Sequence, residues 1–187
     1  MKATSLLKQQ HRNTKKALMQ LIKAGGQEGE ELRTQMADQL VAHMMIEEKI
    51  LYPRAREIGK KTDLVERSFE EHDLARYALI RFLEADPMDA SFVVRAKSLK
   101  KVLDSHVEEE ETVLFPMLEK AYAMAEMRTL GEELKELFET TVERGYENGL
   151  RALQVEPARQ PKRSAAQKAN AGPRGMSRQN RANEARS

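Results

Sequence analysis

Through the body of the chain apolar residues return every third or fourth position and no stretch alternates with period two, so the pattern predicts helices and no sheet. A first helix is expected from about Ser5, a suitable N-cap, to Gly25-Gly26, and a second from about Glu28 to Gly59, running past Pro53 near its end. A third opens at Asp63-Leu64-Val65-Glu66, which has capping-box spacing, and stops near Asp86-Pro87. A fourth starts near Asp89 and meets Pro116, where a kink or a stop is expected. A fifth segment carries a narrower stripe of Leu130, Leu134, Leu137, Phe138 and Val142, and Met117, Met124 and Met127 are expected to pack it onto the rest.

The first two helices repeat in the next two. Around His11 the chain reads QQHRNTKKALMQL and around His72 EEHDLARYALIRF, with Ala and Leu six and seven residues after each histidine. The second members read AHMMIEEKILYP around His43 and SHVEEEETVLFP around His106, each with Glu four and Pro ten residues after the histidine. A helical hairpin occurring twice predicts an all-α fold, an up-down-up-down four-helix bundle with pseudo-twofold symmetry and an additional C-terminal helix.

The charge changes this picture at one end. The chain of 187 residues has a net charge of +2, but residues 157–187 hold eight Lys or Arg against one Glu, a balance of +7 that leaves −5 for residues 1–156. That segment has one Met, no larger apolar residue and several Pro and Gly, so it cannot bury enough surface to offset its chain entropy. The expected division is a bundle over residues 1–152 and a disordered basic tail over 153–187. Without interleaved aromatic residues, the tail offers nucleic acid no more than weak, salt-sensitive phosphate contact. No run approaches a membrane span and the N-terminus turns polar after Leu6-Leu7, so a cytoplasmic protein with no membrane partner is expected.

The absence of cysteine excludes thiolate chemistry and Cys-based metal sites, leaving His and carboxylate as ligands. Residues four apart share a helix face, so His43 with Glu47, and His106 with Glu110, each present a nitrogen beside an oxygen. Every histidine also falls on an apolar stripe: Leu7-His11-Leu18-Leu21, Leu40-His43-Glu47-Leu51, Val65-Phe69-His72-Leu79 and Val102-Leu103-His106-Val113. A lone inward histidine is usually hydrogen-bonded core. Here all four histidines in the protein turn inward, one per helix, together with two glutamates whose unpaired burial would cost several kcal/mol per ion. Cations at the bundle centre remove that conflict, and the symmetry favours one dinuclear site over two separate ones. Glu48 and Glu111, at i+5, are the substitutes if the register is off by one; Glu108, Glu109 and Glu111 are expected on a solvated face.

The doubled motif, His43 to Pro53 and His106 to Pro116 with the isolated His11 and His72, resembles that of hemerythrin-like HHE cation-binding proteins, over roughly Leu6 to Val142. The resemblance implies a non-heme di-iron centre, bridged by carboxylates, that binds dioxygen, nitric oxide or peroxide. By position His11 and His43 would serve one iron, His72 and His106 the other, and Glu47 and Glu110 would bridge. Iron follows from the resemblance alone, since imidazole–carboxylate sites also suit manganese and zinc. Oxygen-carrying hemerythrins have two histidines a turn apart on the third helix; here Ser68 and Arg76 flank His72 at that spacing. The missing ligand turns the expectation from reversible oxygen carriage towards redox turnover; the expected function is a sensor or scavenger of such ligands, with a catalase-like or ferroxidase-like enzyme or an iron store at the same site as the alternative.

Overall fold

The computed structural model describes residues 1–25, 30–59 and 62–154, and among these it contains helices and no strand. Helix α1 spans Ala3–Ala24 and ends where Gly25 donates its N–H to the Leu21 carbonyl at 3.1 Å. It starts two residues before the expected N-cap, because Ala3, Thr4 and Leu7 are drawn into the core against a later helix. Helix α2 spans Glu30–Ile46, continues through a π-helical turn, Glu47–Leu51, and becomes α3, Tyr52–Glu57. The position expected to start this helix, Glu28, lies outside the described residues. Helix α4 spans Thr62–Leu83, and Glu66, expected to close a capping box, reaches Arg56 on α3 instead.

Helix α5, Ala90–Glu109, starts as expected, its N-cap Asp89 accepting the Ser91 N–H at 2.6 Å. It too passes through a π turn, Glu110–Leu114, into α6, Phe115–Ala121. Neither proline stops its helix. A proline in an α-helix lacks the N–H for the carbonyl four residues back and its ring strikes that carbonyl. Widening the preceding turn, so that the Tyr52 and Phe115 N–H groups reach back five residues to the Glu47 and Glu110 carbonyls, lets the helical path continue. The wide turn advances the register by one, which buries Leu114 where the stripe had Val113.

These segments form the up-down-up-down bundle, with α1 packed on α2 and α5, and α4 on α5 and α2. The fifth segment is α7, Met124–Arg144, laid against α1 and α2 with Leu130 and Leu134 buried. Of the methionines assigned to this contact, Met127 is buried, Met117 is partly buried and Met124 is exposed. An eighth helix, α8, Tyr146–Gln154, which the periodicity did not reveal, packs Leu150 and Leu153 into the core beside α2. Two glycines permit these close approaches: a Cβ on Gly131 would meet the Met1 carbonyl oxygen at 2.2 Å, and one on Gly149 the Val41 Cγ1 at 2.4 Å. Residues 155–187, including nearly all of the expected tail, lie outside the described residues.

The apolar interior falls into two clusters. Leu18, Leu40, Met44, Leu79, Phe82 and Leu99 belong to one, and Leu7, Leu51, Phe69, Leu114, Phe115 and Leu134 to the other. The buried polar residues of the repeat are gathered within the same bundle.

Candidate metal centre

All six residues expected at the centre are there, each no more than 6% exposed: His11, His43, Glu47, His72, His106 and Glu110. Their imidazole Nε2 atoms face one another in pairs, His11 to His43 at 3.0 Å and His72 to His106 at 3.1 Å. Glu47 Oε2 stands between the pairs, 3.2 Å from His43 Nε2 and 3.3 Å from His72 Nε2. Glu110 Oε2 lies 3.3 Å from His11 Nε2 and 3.6 Å from His106 Nε2. Two overlapping groups of ligand atoms result, His11, His43, Glu47 and Glu110 in one and Glu47, His72 and His106 in the other, each with atoms within 4.8 Å of one another. Ligand atoms sharing one ion through bonds of about 2.1 Å stand roughly 3.0 to 3.4 Å apart, so most of these spacings are those of a coordination shell.

The second ring nitrogens fix which lone pairs face inward. His11 Nδ1 is 2.8 Å from Glu111 Oε1, His72 Nδ1 is 2.9 Å from Glu48 Oε1, and His106 Nδ1 is 2.9 Å from Glu71 Oε2. His43 Nδ1 is 2.9 Å from Gln10 Oε1. An ionised carboxylate can only accept, so the proton sits on Nδ1 and the bare Nε2 points at the centre. Such an acceptor behind a histidine orients the ring and raises its basicity towards a metal.

These four residues, with Tyr52, are what sequence reasoning missed. Glu48 and Glu111, the substitutes for Glu47 and Glu110 in a shifted register, turn instead to histidines of the opposite hairpin, His72 and His11. Glu111 therefore does not belong to a solvated face. Nor does Glu109, which is half-buried and pairs with Arg67 at 3.1 Å; of that tract Glu108 is the exposed member. The signal was in the repeat: Gln10 and Glu71 each precede a histidine by one, and Glu48 and Glu111 each follow one by five.

At the position of the absent histidine, Arg76 pairs with Glu48, and Ser68 Oγ donates to the Leu64 carbonyl of its own helix. Tyr52 also reaches the centre, its buried hydroxyl donating to Glu110 Oε1 at 3.0 Å and lying 3.0 Å from His72 Nε2. The equivalent residue in the second hairpin, Phe115, stacks on His11 with ring centroids 5.8 Å apart.

Charge in this pocket is in conflict. Both oxygens of Glu47 and Oε2 of Glu110 are buried without a hydrogen bond, which folded proteins rarely tolerate. Burial, and then the neighbouring Glu110, push the Glu47 carboxyl well above its ordinary range. Burial opposes ionisation of Glu110 too, but His106 and His11 outweigh it and hold that carboxyl low. Burial depresses His43 and His72, with His11 adding to the effect at His43. At His106 burial acts the same way but is outweighed by Glu110 and Glu71, which lift it. Tyr52 is raised by burial and by both central glutamates, so its phenol keeps its proton. Cations between the Nε2 pairs would satisfy the orphaned oxygens and the facing lone pairs together.

A cavity of about 600 Å³ reaches this centre and is lined by all four histidines, by Leu18, Leu40, Met44 and Leu103, and by Lys15, Lys100 and Asp104. Among the described residues no helix is long and apolar enough to cross a membrane.

The chain is similar to a solved hemerythrin HHE cation binding domain-containing protein from Mycobacterium kansasii, at 24% identity and a TM-score of 0.67, covering 83% of this chain and 94% of that one. No curated protein matches it. The hemerythrin HHE cation binding domain profile matches residues 2–118, and with the doubled His–Glu arrangement in place the chain belongs to the hemerythrin HHE cation-binding domain family.

Proposed function

We propose that this protein holds two iron ions, His11 and His43 serving one, His72 and His106 the other, with Glu47 and Glu110 between them, and that the pair binds dioxygen, nitric oxide or peroxide in the cytoplasm. The observation that carries this reading is the set of buried carboxylate oxygens without hydrogen bonds, facing four imidazoles whose other nitrogens are already engaged. A bound iron pair would supply open coordination positions and redox cycling. The protein's part is to aim four lone pairs, share two carboxylates and admit a small ligand through the cavity.

Turnover of peroxide at the same site is the second reading, favoured by Tyr52. Its protonated hydroxyl, buried beside Glu110 Oε1 and His72 Nε2, can donate a hydrogen bond to a peroxide held at the centre. The histidine departure from the oxygen-carrying pattern points the same way, since carriage relies on a filled and protected shell. Elemental analysis after expression in iron-supplemented medium should give about two iron ions per chain; no metal, or one zinc without iron, overturns the first reading. Oxygen evolution from peroxide by the iron-loaded protein, lost in His106→Ala, would assign the second reading over simple binding.

A further inference from the structure

The four residues behind the histidines obey the same pseudo-twofold symmetry as the histidines, with one exception in charge. Glu111 behind His11 corresponds to Glu48 behind His72, at 2.8 and 2.9 Å, carboxylate for carboxylate. Gln10 behind His43 corresponds to Glu71 behind His106, both at 2.9 Å, but one is an amide and the other a carboxylate. Geometry is conserved across the two hairpins while acceptor strength is not. Gln10 is buried and its Nε2 has no hydrogen bond, so nothing else in the structure accounts for an amide there.

A carboxylate behind Nδ1–H draws the proton towards itself and makes Nε2 a stronger donor; a neutral amide does so less. We infer that the Gln10–Glu71 difference makes the two metal positions unequal, the His72–His106 position holding its ion more tightly and the His11–His43 position being the exchangeable one. The inference rests on the two-ion reading above. First-ligand number does not set the opposite order, because Glu110 Oε2, 3.3 Å from His11 Nε2, also stands 3.6 Å from His106 Nε2 and can serve both positions. Arg76, by taking up part of the charge on Glu48 behind His72, acts against this order, so the order rests on Glu71 outweighing it against the neutral Gln10. Gln10 and Glu71 are positioning residues: they act through His43 and His106.

The test is titration of the metal-free protein with cobalt(II), followed by its visible bands, in the wild type, Gln10→Glu, Glu71→Gln and the double exchange. His11→Ala and His72→Ala identify which step belongs to which position. In the wild type two ions should enter in two steps with the His72–His106 position first, separated by roughly tenfold or more in affinity, the usual weight of such an outer partner. Glu71→Gln should weaken the first step by about tenfold and leave the second in place, and Gln10→Glu should tighten the second so that the steps merge. The double exchange, which keeps the composition and net charge, should reverse the order of filling. Band positions should shift at the altered position alone, which a merely structural effect would not produce. Two ions entering with equal affinity, or an order of filling that the double exchange leaves unchanged, overturns the inference. Failure of the wild type to take a second ion would defeat the two-ion reading instead. If Gln10→Glu does not fold, Glu71→Gln decides alone by whether it weakens the tighter step.

Discussion

Replacing Glu47 by Gln should make the metal-free protein more stable and the metal-loaded protein unable to form. Glu47 is fully buried, neither oxygen has a hydrogen bond, and Glu110 faces it. Its folded carboxyl is raised above its ordinary value of 4.5, by burial first and Glu110 second. Below that value the folded and unfolded chains both hold the proton and Glu47 costs nothing. Above it the unfolded chain ionises while the fold keeps the proton, so stability falls by up to about 1.4 kcal/mol per pH unit until the folded carboxyl also ionises. Glutamine has the same shape and no ionisation, so the variant escapes this loss. The expected gain at neutral pH is about 1.4 kcal/mol for each pH unit by which the folded carboxyl is raised, or roughly 2–4 °C in melting temperature per kcal/mol for a chain of this size. The assay is thermal unfolding by circular dichroism on chelator-treated wild type and Glu47→Gln at intervals from pH 5 to 8, with metal content measured on untreated samples. The gap should open as pH rises, and the variant should lose both ions. A gap that is flat in pH, or a variant less stable than the wild type throughout, would refute the charge conflict from which the site is argued.

Three further outcomes follow from the geometry. Glu110→Ala should abolish the coupled two-metal spectrum, because Glu110 lies near both His11 and His106, whereas exposed Glu108→Ala should leave it intact; the reverse result means the register is wrong. Gly149→Ala places a Cβ 2.4 Å from Val41 Cγ1, and overpacking of about 1–3 kcal/mol exceeds the ~1 kcal/mol of helix propensity gained. The melting temperature should therefore fall by a few degrees with metal content unchanged, and a rise would show that α8 does not pack tightly. Deleting residues 157–187, which carry a balance of +7, should leave helicity, melting temperature and metal content unchanged, while any binding to DNA should vanish with them and weaken with salt.

The bundle and its six central residues were legible because they are periodic. Each histidine sits on an apolar stripe, and the spacing of four to each glutamate is the helix's own repeat. What stayed hidden was non-periodic or depended on contacts across the bundle. Helix α8 is short and follows Gly145, whose φ of 79° interrupts the path from α7, so its Leu150 and Leu153 form too brief a stripe to stand out. The N-terminal start was misplaced because a polar Ser5 looks like a cap, whereas the packing of Ala3 and Leu7 under α7 pulls the helix two residues further back.

The π turns show most clearly where local reasoning stops. The sequence predicts a kink or stop at Pro116 and a helix that runs past Pro53, and a proline does disrupt a helix with four-residue hydrogen bonds. The structure relieves both by widening the turn that begins at the central glutamate. From that turn onward each following residue sits about one position off the face an α-helix would give it. Tyr52 and Phe115, nine residues after His43 and His106, are thereby brought to the centre, and Glu48 and Glu111 turn sideways to the opposite hairpin's histidines. A proline ten residues after the histidine is thus tied to the metal-facing geometry, since it makes the wide turn preferable to an ordinary one. The carboxylate between the histidine pairs and the acceptor behind a histidine can then be adjacent residues, Glu47 with Glu48 and Glu110 with Glu111, placed differently by one turn of helix. In a regular α-helix neighbouring residues diverge by about 100°, and the second of each pair would have no defined role.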